Sequence, residues 1–310
     1  MITSPMIFPL LLSLLYAIDQ EVIDHFQNFV PITSTPPSSI QDLPERWSNA
    51  YTPLADVSPA IFDSLMDPPT LDEWSSTISS MPNDKAPDPS MISQATVIHI
   101  SKAFDSVDLS MLRFALQRLR LPQNAIQFLL SLFMSHFNRV ITAHGPIPPY
   151  RVRIGIDQGE VISPLLWVIY LDPLLTTLRN EKKDSYCLIS PLAPYTVSSN
   201  SCSPDVLEIN NLVFMDDSTL ISSSKEGMEH MLSITEEFYC LNNTSANHNK
   251  YVLATNAVAA SRDLSPIAFN LSISSLNSTP NIIVTPIPMS SSFRFLGVWF
   301  NINGSRNFIR

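Results

Sequence analysis

Two adjacent carboxylates, Asp216 and Asp217, are the residues best placed to do chemistry. An apolar run, Leu212-Val213-Phe214-Met215, leads into them, and a second β-prone run, Thr219-Leu220-Ile221, leads out. That pattern predicts a hairpin with both acids at its tip. Neighbouring negative charges repel, and a divalent cation offsets such repulsion well. Asp-Asp is also a good turn dipeptide, so the pair by itself reads either way. A second candidate lies upstream, where Gly155 and Gly159, two of only six glycines, bracket the polar loop Gly155-Ile156-Asp157-Gln158-Gly159. A glycine-bracketed loop that opens a helix lets backbone N–H groups approach a ligand. An ordinary strand-to-helix turn would carry the same residues.

The elements that must position these groups follow from periodicity. Val97-Ile98-His99-Ile100 has β character and runs into Ser101-Lys102-Ala103-Phe104-Asp105. Leu112, Ala115, Leu116 and Leu119 mark one helix face, with Pro122 ending it. Ala125, Phe128, Leu129, Leu132 and Phe133 mark the apolar stripe of a second helix. Arg139–Ala143 and Tyr150–Ile154 alternate like two strands joined through Gly145-Pro146. Helices are predicted over 165–178 and 226–241, an edge strand over 250–254, and a closing strand pair from 282–286 and 293–300. Residues 185–206 and 261–279, rich in Ser and Asn, are expected to be loop. These elements compose an α+β fold: a small antiparallel sheet carries His99, the acidic hairpin and the strand in the 250s, with helices on one face.

Ahead of this lies a segment of different character. Residues 1–90 hold thirteen of the 26 prolines, no glycine, and twelve acidic against two basic residues. Such composition predicts an arm of short helices (21–29, 59–66, and 71–80 with Thr70 as N-cap) that wraps another domain, or else an extended linker. Between Lys102 and Lys183 the balance reverses to ten basic against six acidic residues, which suits a phosphate-contacting face despite the net charge of −10. Met6 to Ala17 is apolar but short for a bilayer span and lacks the basic residues that precede a signal-peptide core, so a buried helix is expected and a membrane role is not. Cys187, Cys202 and Cys240 have no metal-ligand spacing and imply a reduced, intracellular chain with no disulfide-linked partner.

In order along the chain, SKAFDSV (101–107), GIDQGEVISP (155–164), FMDD (214–217), Lys250 after an Asn-rich helix exit, and FRFLGVWF (293–300) resemble the palm of a reverse transcriptase. The resemblance is to the non-LTR retrotransposon (LINE-like) type, spans roughly residues 82–300, and begins with a loop, PNDKAPDPS (82–90), like the one preceding the fingers of that family. It implies RNA-directed DNA polymerisation by two Mg²⁺ ions, with Mn²⁺ a possible substitute, acting on a template–primer and a dNTP. By that resemblance Asp216 and Asp217 bind metal, Phe104 lies beneath the sugar, Gln158 and Gly159 touch nucleotide and template, and Lys250 meets the pyrophosphate. It divides the chain into an arm (1–81), a partial palm (82–300) and a short tail (301–310).

Three departures from the family pattern imply weak or no polymerisation. His99 stands where the first metal-binding Asp is expected, and imidazole is a poor, uncharged ligand for Mg²⁺. Asp105 matches the second Asp of that block, six residues further on. Only eight residues, Met91 to Ile98, separate PNDKAPDPS from His99, where the family has a long fingers segment. The sequence also stops at Arg310, just past the last block, so no thumb is expected. A non-catalytic remnant that binds nucleic acid or a protein partner is the alternative expectation.

Overall fold

A computed structural model of the chain describes residues 7–32, 35–68, 96–189, 206–255, 264–273 and 280–301, apart from a few single positions, together with isolated positions in 70–76. Six helices are described: α1 (Ile7–Gln27), α2 (Glu45–Ala50), α3 (Leu109–Arg118), α4 (Gln123–Ser131), α5 (Ser163–Asn180) and α6 (Lys225–Leu241). The strands that bear on the site are β1 (Thr96–Ser101), β2 (Phe137–Asn138), β3 (Ile141–Thr142), β4 (Gly145–Pro146), β5 (Tyr150–Arg151), β6 (Tyr186–Ile189), β7 (Val206–Ile209), β8 (Asn211–Phe214), β9 (Asp217–Leu220), β10 (Ser245–Ala246) and β11 (Val252–Leu253). Four more, β12 (Ile267–Asn270), β13 (Asn281–Val284), β14 (Ser292–Phe295) and β15 (Val298–Asn301), make two ribbons toward the end of the chain.

Local chemistry accounts for the helix ends. The Asp108 carboxylate caps α3 by accepting from the N–H groups of Ser110 and Met111 at 2.8 and 3.0 Å. Arg120, at φ 60°, turns the chain out of that helix before Pro122 begins the next. The Ser224 hydroxyl caps α6 by accepting from Gly227 N–H at 2.9 Å. Helix α5 is the hub. It packs against α2, α3 and α6, and Trp167, Tyr170 and Leu174 from it enter the core with Leu112 and Leu116 of α3 and Ile234 and Phe238 of α6.

The central sheet is antiparallel, with strands in the order β10-β1-β9-β8 and β11 also paired to β1. It brings together the strand of His99, the acidic hairpin and the strand in the 250s, as expected for a mixed α and β chain. Several expected local features differ. Strands β2 and β5 pair with each other, while β3 and β4 form their own small hairpin, because Gly145-Pro146 is paired to Ile141-Thr142 and does not link two longer strands. Two stretches expected to be loop supply strands, β6 with β7 and β12 with β13; their partners are distant or separated by polar residues, which weakens any local signal. The closing pair is β14 with β15, since β13 is committed to β12.

The α4 stripe is rotated: Ala125, Ile126, Leu130 and Phe133 are buried, while Phe128 and Leu132 face outward. Upstream, a single helix α1 replaces the expected break before Glu21, and Pro59–Phe62 makes only one 3₁₀ turn. Thr70 does form a cap, with Glu73 reaching back to its N–H at 2.7 Å. The expected loop 82–90 lies outside the described residues, as do most of 71–80 and nearly all of the tail 301–310. Among the described residues, α1 is half-exposed over its second half (Tyr16, Ile18 and Phe26 are all exposed), and no helix is long and apolar enough to cross a membrane.

Candidate active site at the acidic hairpin

The acidic hairpin forms with a two-residue turn. Phe214 pairs with Asp217, leaving Met215 and Asp216 as the central residues, so Asp216 stands at the tip and Asp217 opens β9. Met215 has φ 55°, whereas Asp216 does not lie at positive φ, the pattern of a type II′ turn. A long side chain in the left-handed region costs on the order of 1 kcal/mol or more, so surrounding contacts must hold it. Both carboxylates are half-buried. On the far side of β9 lies β1, whose register sets His99 opposite Asp217 and Ile98 opposite Ser218. The backbone partner of His99 is Asp217, and Asp216 lies one residue beyond the paired strand because the turn takes it.

The SKAFD segment and the glycine loop form one unit. Gly155 N–H donates to Val107 O at 3.0 Å, and Ile156 N–H donates to Phe104 O at 2.9 Å. Gly155 has φ 105°, and a Cβ there would lie 2.7 Å from the Asp105 carbonyl oxygen, so this glycine serves close approach to the chain itself. Gly159, at φ 97°, has open space on its Cβ side. Gln158 Nε2 donates to Asp105 Oδ2 at 3.2 Å. Ser163 Oγ donates to Asp157 O at 2.7 Å and closes the loop onto the start of α5. His136 Nε2 lies 3.1 Å from Asp157 Oδ1 and supports the loop from the other side.

The side chains beneath the hairpin are aromatic. The half-buried Phe104 ring lies 5.7 Å from that of Trp167, and Trp167 lies 5.9 Å from Tyr170. Trp167 Nε1–H donates to the Met215 carbonyl at 2.8 Å. Tyr170 Oη accepts from Asp108 N–H at 3.1 Å and donates to Asn242 O at 3.0 Å, tying α3, α5 and the exit of α6 together. Lys250 is exposed on a 3₁₀ turn, His248–Lys250, that packs beside β1.

Across the mouth of the SKAFD unit runs the chain that follows α1. Lys102 sits over the Phe29 ring, 3.7 Å from its centroid, and donates to the Phe29 carbonyl. Phe26 stacks on Tyr150 at 6.0 Å, and Asn243 Nδ2 donates to Pro31 O at 3.1 Å. These residues leave a pocket of about 80 Å³ beside Asp105, Gly155 and Asp157, well below the several hundred Å³ that a drug-sized ligand fills. Burial raises the Asp105 carboxyl above the usual range, and nearby Asp157 adds to this against the pull of Lys102 and Gln158. Tyr150 is raised by burial and by the same two carboxylates.

Among the described residues no group of three or more His, Cys, Asp and Glu side chains converges to hold a metal. Two adjacent carboxylates suit one hard cation that keeps most of its waters; they do not by themselves make a two-ion cluster. Of the residues expected at the site, His99 and Asp217 share a register, Asp216 adjoins them, and Lys250 rides on a turn beside the same strand. Gln158 reaches Asp105, while Phe104 connects to the hairpin through Trp167. Sequence reasoning placed Trp167 only within an apolar helix and assigned it no role. Its position just after a glycine loop and one turn into a helix was the only available signal.

Residues 65–300 match the family model described as reverse transcriptase (RNA-dependent DNA polymerase). Similar curated proteins are Pol polyproteins of the type-1 retrotransposable element R2. One from Popillia japonica is 21% identical over 207 residues, 67% of this chain and 30% of its own. One from Nasonia vitripennis is 27% identical over 140 residues, 45% of this chain and 12% of its own. The chain thus spans less than a third of the length of these relatives. A solved chain of Candida albicans telomerase, in a complex with a fragment of telomeric RNA, superposes on 57% of this chain and 29% of its own with a TM-score of 0.37 and 12% identity. The family model covers well over half of the sequence, and the chain belongs to the reverse transcriptase (RNA-dependent DNA polymerase) family, in its non-LTR retrotransposon branch.

Proposed function

We propose that the central sheet, the glycine loop and α5 are the palm of a partial reverse transcriptase domain that acts inside the cell, binds an RNA or DNA template–primer and a dNTP, and extends primers weakly or not at all. The register of His99 with Asp217 carries this reading, because it sets the position of the expected third acid opposite the acidic hairpin. Asp216 and Asp217 hold the metal, Phe104 seats the sugar, Gln158 and Gly159 meet nucleotide and template, and Lys250 meets the pyrophosphate. A bound Mg²⁺ supplies charge neutralisation at the phosphates. With histidine at position 99 the cluster lacks one negative charge, and Mn²⁺, which accepts nitrogen ligands better, supports any residual activity more than Mg²⁺ does. The eight residues between PNDKAPDPS and His99 leave no room for a long fingers segment, which removes template and triphosphate contacts.

Primer extension on RNA and DNA templates, with Mg²⁺ or Mn²⁺, compares wild type, His99→Asp and Asp216→Asn. Thermal melts of the same three proteins with and without metal accompany it. His99→Asp is expected to melt lower than wild type without metal and to gain more when metal is added. If it gains no more than Asp216→Asn, position 99 is not part of a metal site. Template binding without extension is the second outcome. Exposed Arg139, Arg151 and Arg153 favour it, and it should weaken steeply with salt.

A further inference from the structure

Two-residue hairpin turns come in two closely related forms. Types I′ and II′ share positive φ at the first central residue and differ by rotation of the central peptide, here the one joining Met215 to Asp216. Rotating that peptide swings the Met215 carbonyl through a wide arc and re-aims the backbone that carries Asp216. The Met215 carbonyl is not left to solvent. It accepts from Trp167 Nε1–H at 2.8 Å, and Trp167 is 0% exposed. The indole is itself held between Phe104 and Tyr170, at 5.7 and 5.9 Å, so it cannot follow the carbonyl if the peptide turns.

We propose that Trp167 is the positioning residue of the site: its indole N–H locks the central peptide of the acidic hairpin in one orientation and so aims Asp216 at the metal. It touches neither substrate nor metal and acts through Met215. Because α5 also carries the glycine loop through Ser163, one rigid helix sets both the hairpin tip and the loop opposite. The metal-aiming part rests on the function proposed above; the locking of the peptide does not.

The test uses the full chain with Trp167→Phe, which keeps an aromatic ring and removes the donor. Leu171→Ala, one turn further along the same helix, buried and with no side-chain hydrogen bond to give the hairpin, serves as a stability control. Hydrogen exchange read by mass spectrometry should show residues 211–220 exchanging about three- to tenfold faster in Trp167→Phe, the range that loss of one hydrogen bond allows, with α3 and α6 unchanged. Titration with Mn²⁺ alone should show affinity falling by a similar factor in Trp167→Phe and holding in Leu171→Ala. The proposal is overturned if Trp167→Phe leaves hairpin exchange at the wild-type rate, or if Leu171→Ala speeds it equally. If Asp216→Asn binds Mn²⁺ as wild type does, the metal reading of the hairpin fails, and the exchange data alone then decide whether Trp167 locks the turn.

Discussion

Trp47 and Trp167 are both 0% exposed, and they hold two regions of the molecule in opposite ways. Trp47, on α2, packs its ring 5.4 Å from Phe238, and its indole N–H is buried with no hydrogen-bond partner among the described residues. Trp167, on α5, spends its N–H on the carbonyl of a strained turn. The first residue is a hydrophobic anchor that carries a polar atom at a cost. The second uses that polar atom to define a geometry. Equal burial therefore does not imply equal role, and replacement by phenylalanine separates the two.

The anchor region gives the largest expected effect. Trp47→Ala opens a cavity where α2, α5 and α6 meet and should destabilise by about 3–5 kcal/mol, measured by denaturant unfolding. Trp47→Phe removes an unpartnered donor along with some volume and should cost only about 1 kcal/mol. A cost for Trp47→Phe close to that of Trp47→Ala would mean that the indole N–H is satisfied after all.

Next comes the ion pair that fastens the same helix. Arg46 donates to Glu181 at 2.8 Å and also to Glu237, whose side chain is 1% exposed. Arg46→Met strands the Glu237 charge. The expected loss is about 2–3 kcal/mol, below the ~3–5 kcal/mol of a fully buried pair because the arginine is partly in water. Arg46→Met combined with Glu237→Gln should recover part of that loss, since the stranded charge is gone. A double variant no better than Arg46→Met would shift the credit to packing of the arginine stem.

These two regions also show what the sequence could and could not disclose. Helices α3, α5 and α6 were legible because each repeats apolar residues at 3–4 spacing over several turns. In α4 two adjacent stripes are apolar, so the pattern alone put Phe128 and Leu132 on the buried face and left out Ile126 and Leu130; only the neighbours decide. The acidic hairpin and its strand partners were legible in outline. The exact partner of His99 was not, because it depends on which residues the turn takes, and Asp217 is the first residue of the strand that follows it. Neither anchor could be read. Arg46 meets Glu237 191 residues away, and Trp167 meets Met215 48 residues away; no local pattern encodes such pairs.

The chain after α1 offers a smaller effect. Lys102 covers the Phe29 ring and donates to its carbonyl on an exposed surface. Lys102→Met should change stability by less than about 1 kcal/mol, as exposed cation–π and charge contacts do. It should nevertheless speed proteolytic cleavage near residues 28–32, because those contacts hold that segment over the site. Cleavage at the wild-type rate would show that Phe26 on Tyr150 and Asn243 on Pro31 suffice.

The smallest effect concerns a pair that fastens the Lys250 turn and contains a titrating imidazole. His248 Nε2 lies 2.7 Å from Glu236 Oε1, and its side chain is about half exposed, whereas Arg46 is paired with the buried Glu237. Hydrogen bonding to Glu236 raises the His248 pKa above its ordinary 6.5; burial pulls it down and loses, and the carboxylate charge adds to the rise. The sign follows from which state holds the proton more tightly. The folded chain does, so the pair's stabilisation is fully present below the ordinary imidazole value and is lost as pH rises through the raised folded value. His248→Gln should therefore lower the melting temperature at pH 5.5 and leave it nearly unchanged at pH 9. Glu236→Gln should erase that pH dependence, though Tyr251 Oη also donates to Glu236 at 3.3 Å and shifts the baseline at every pH. A His248→Gln loss equal at both pH values would show that the contact is a neutral hydrogen bond, leaving the Arg46–Glu237 pair as the ionic fastening of the two.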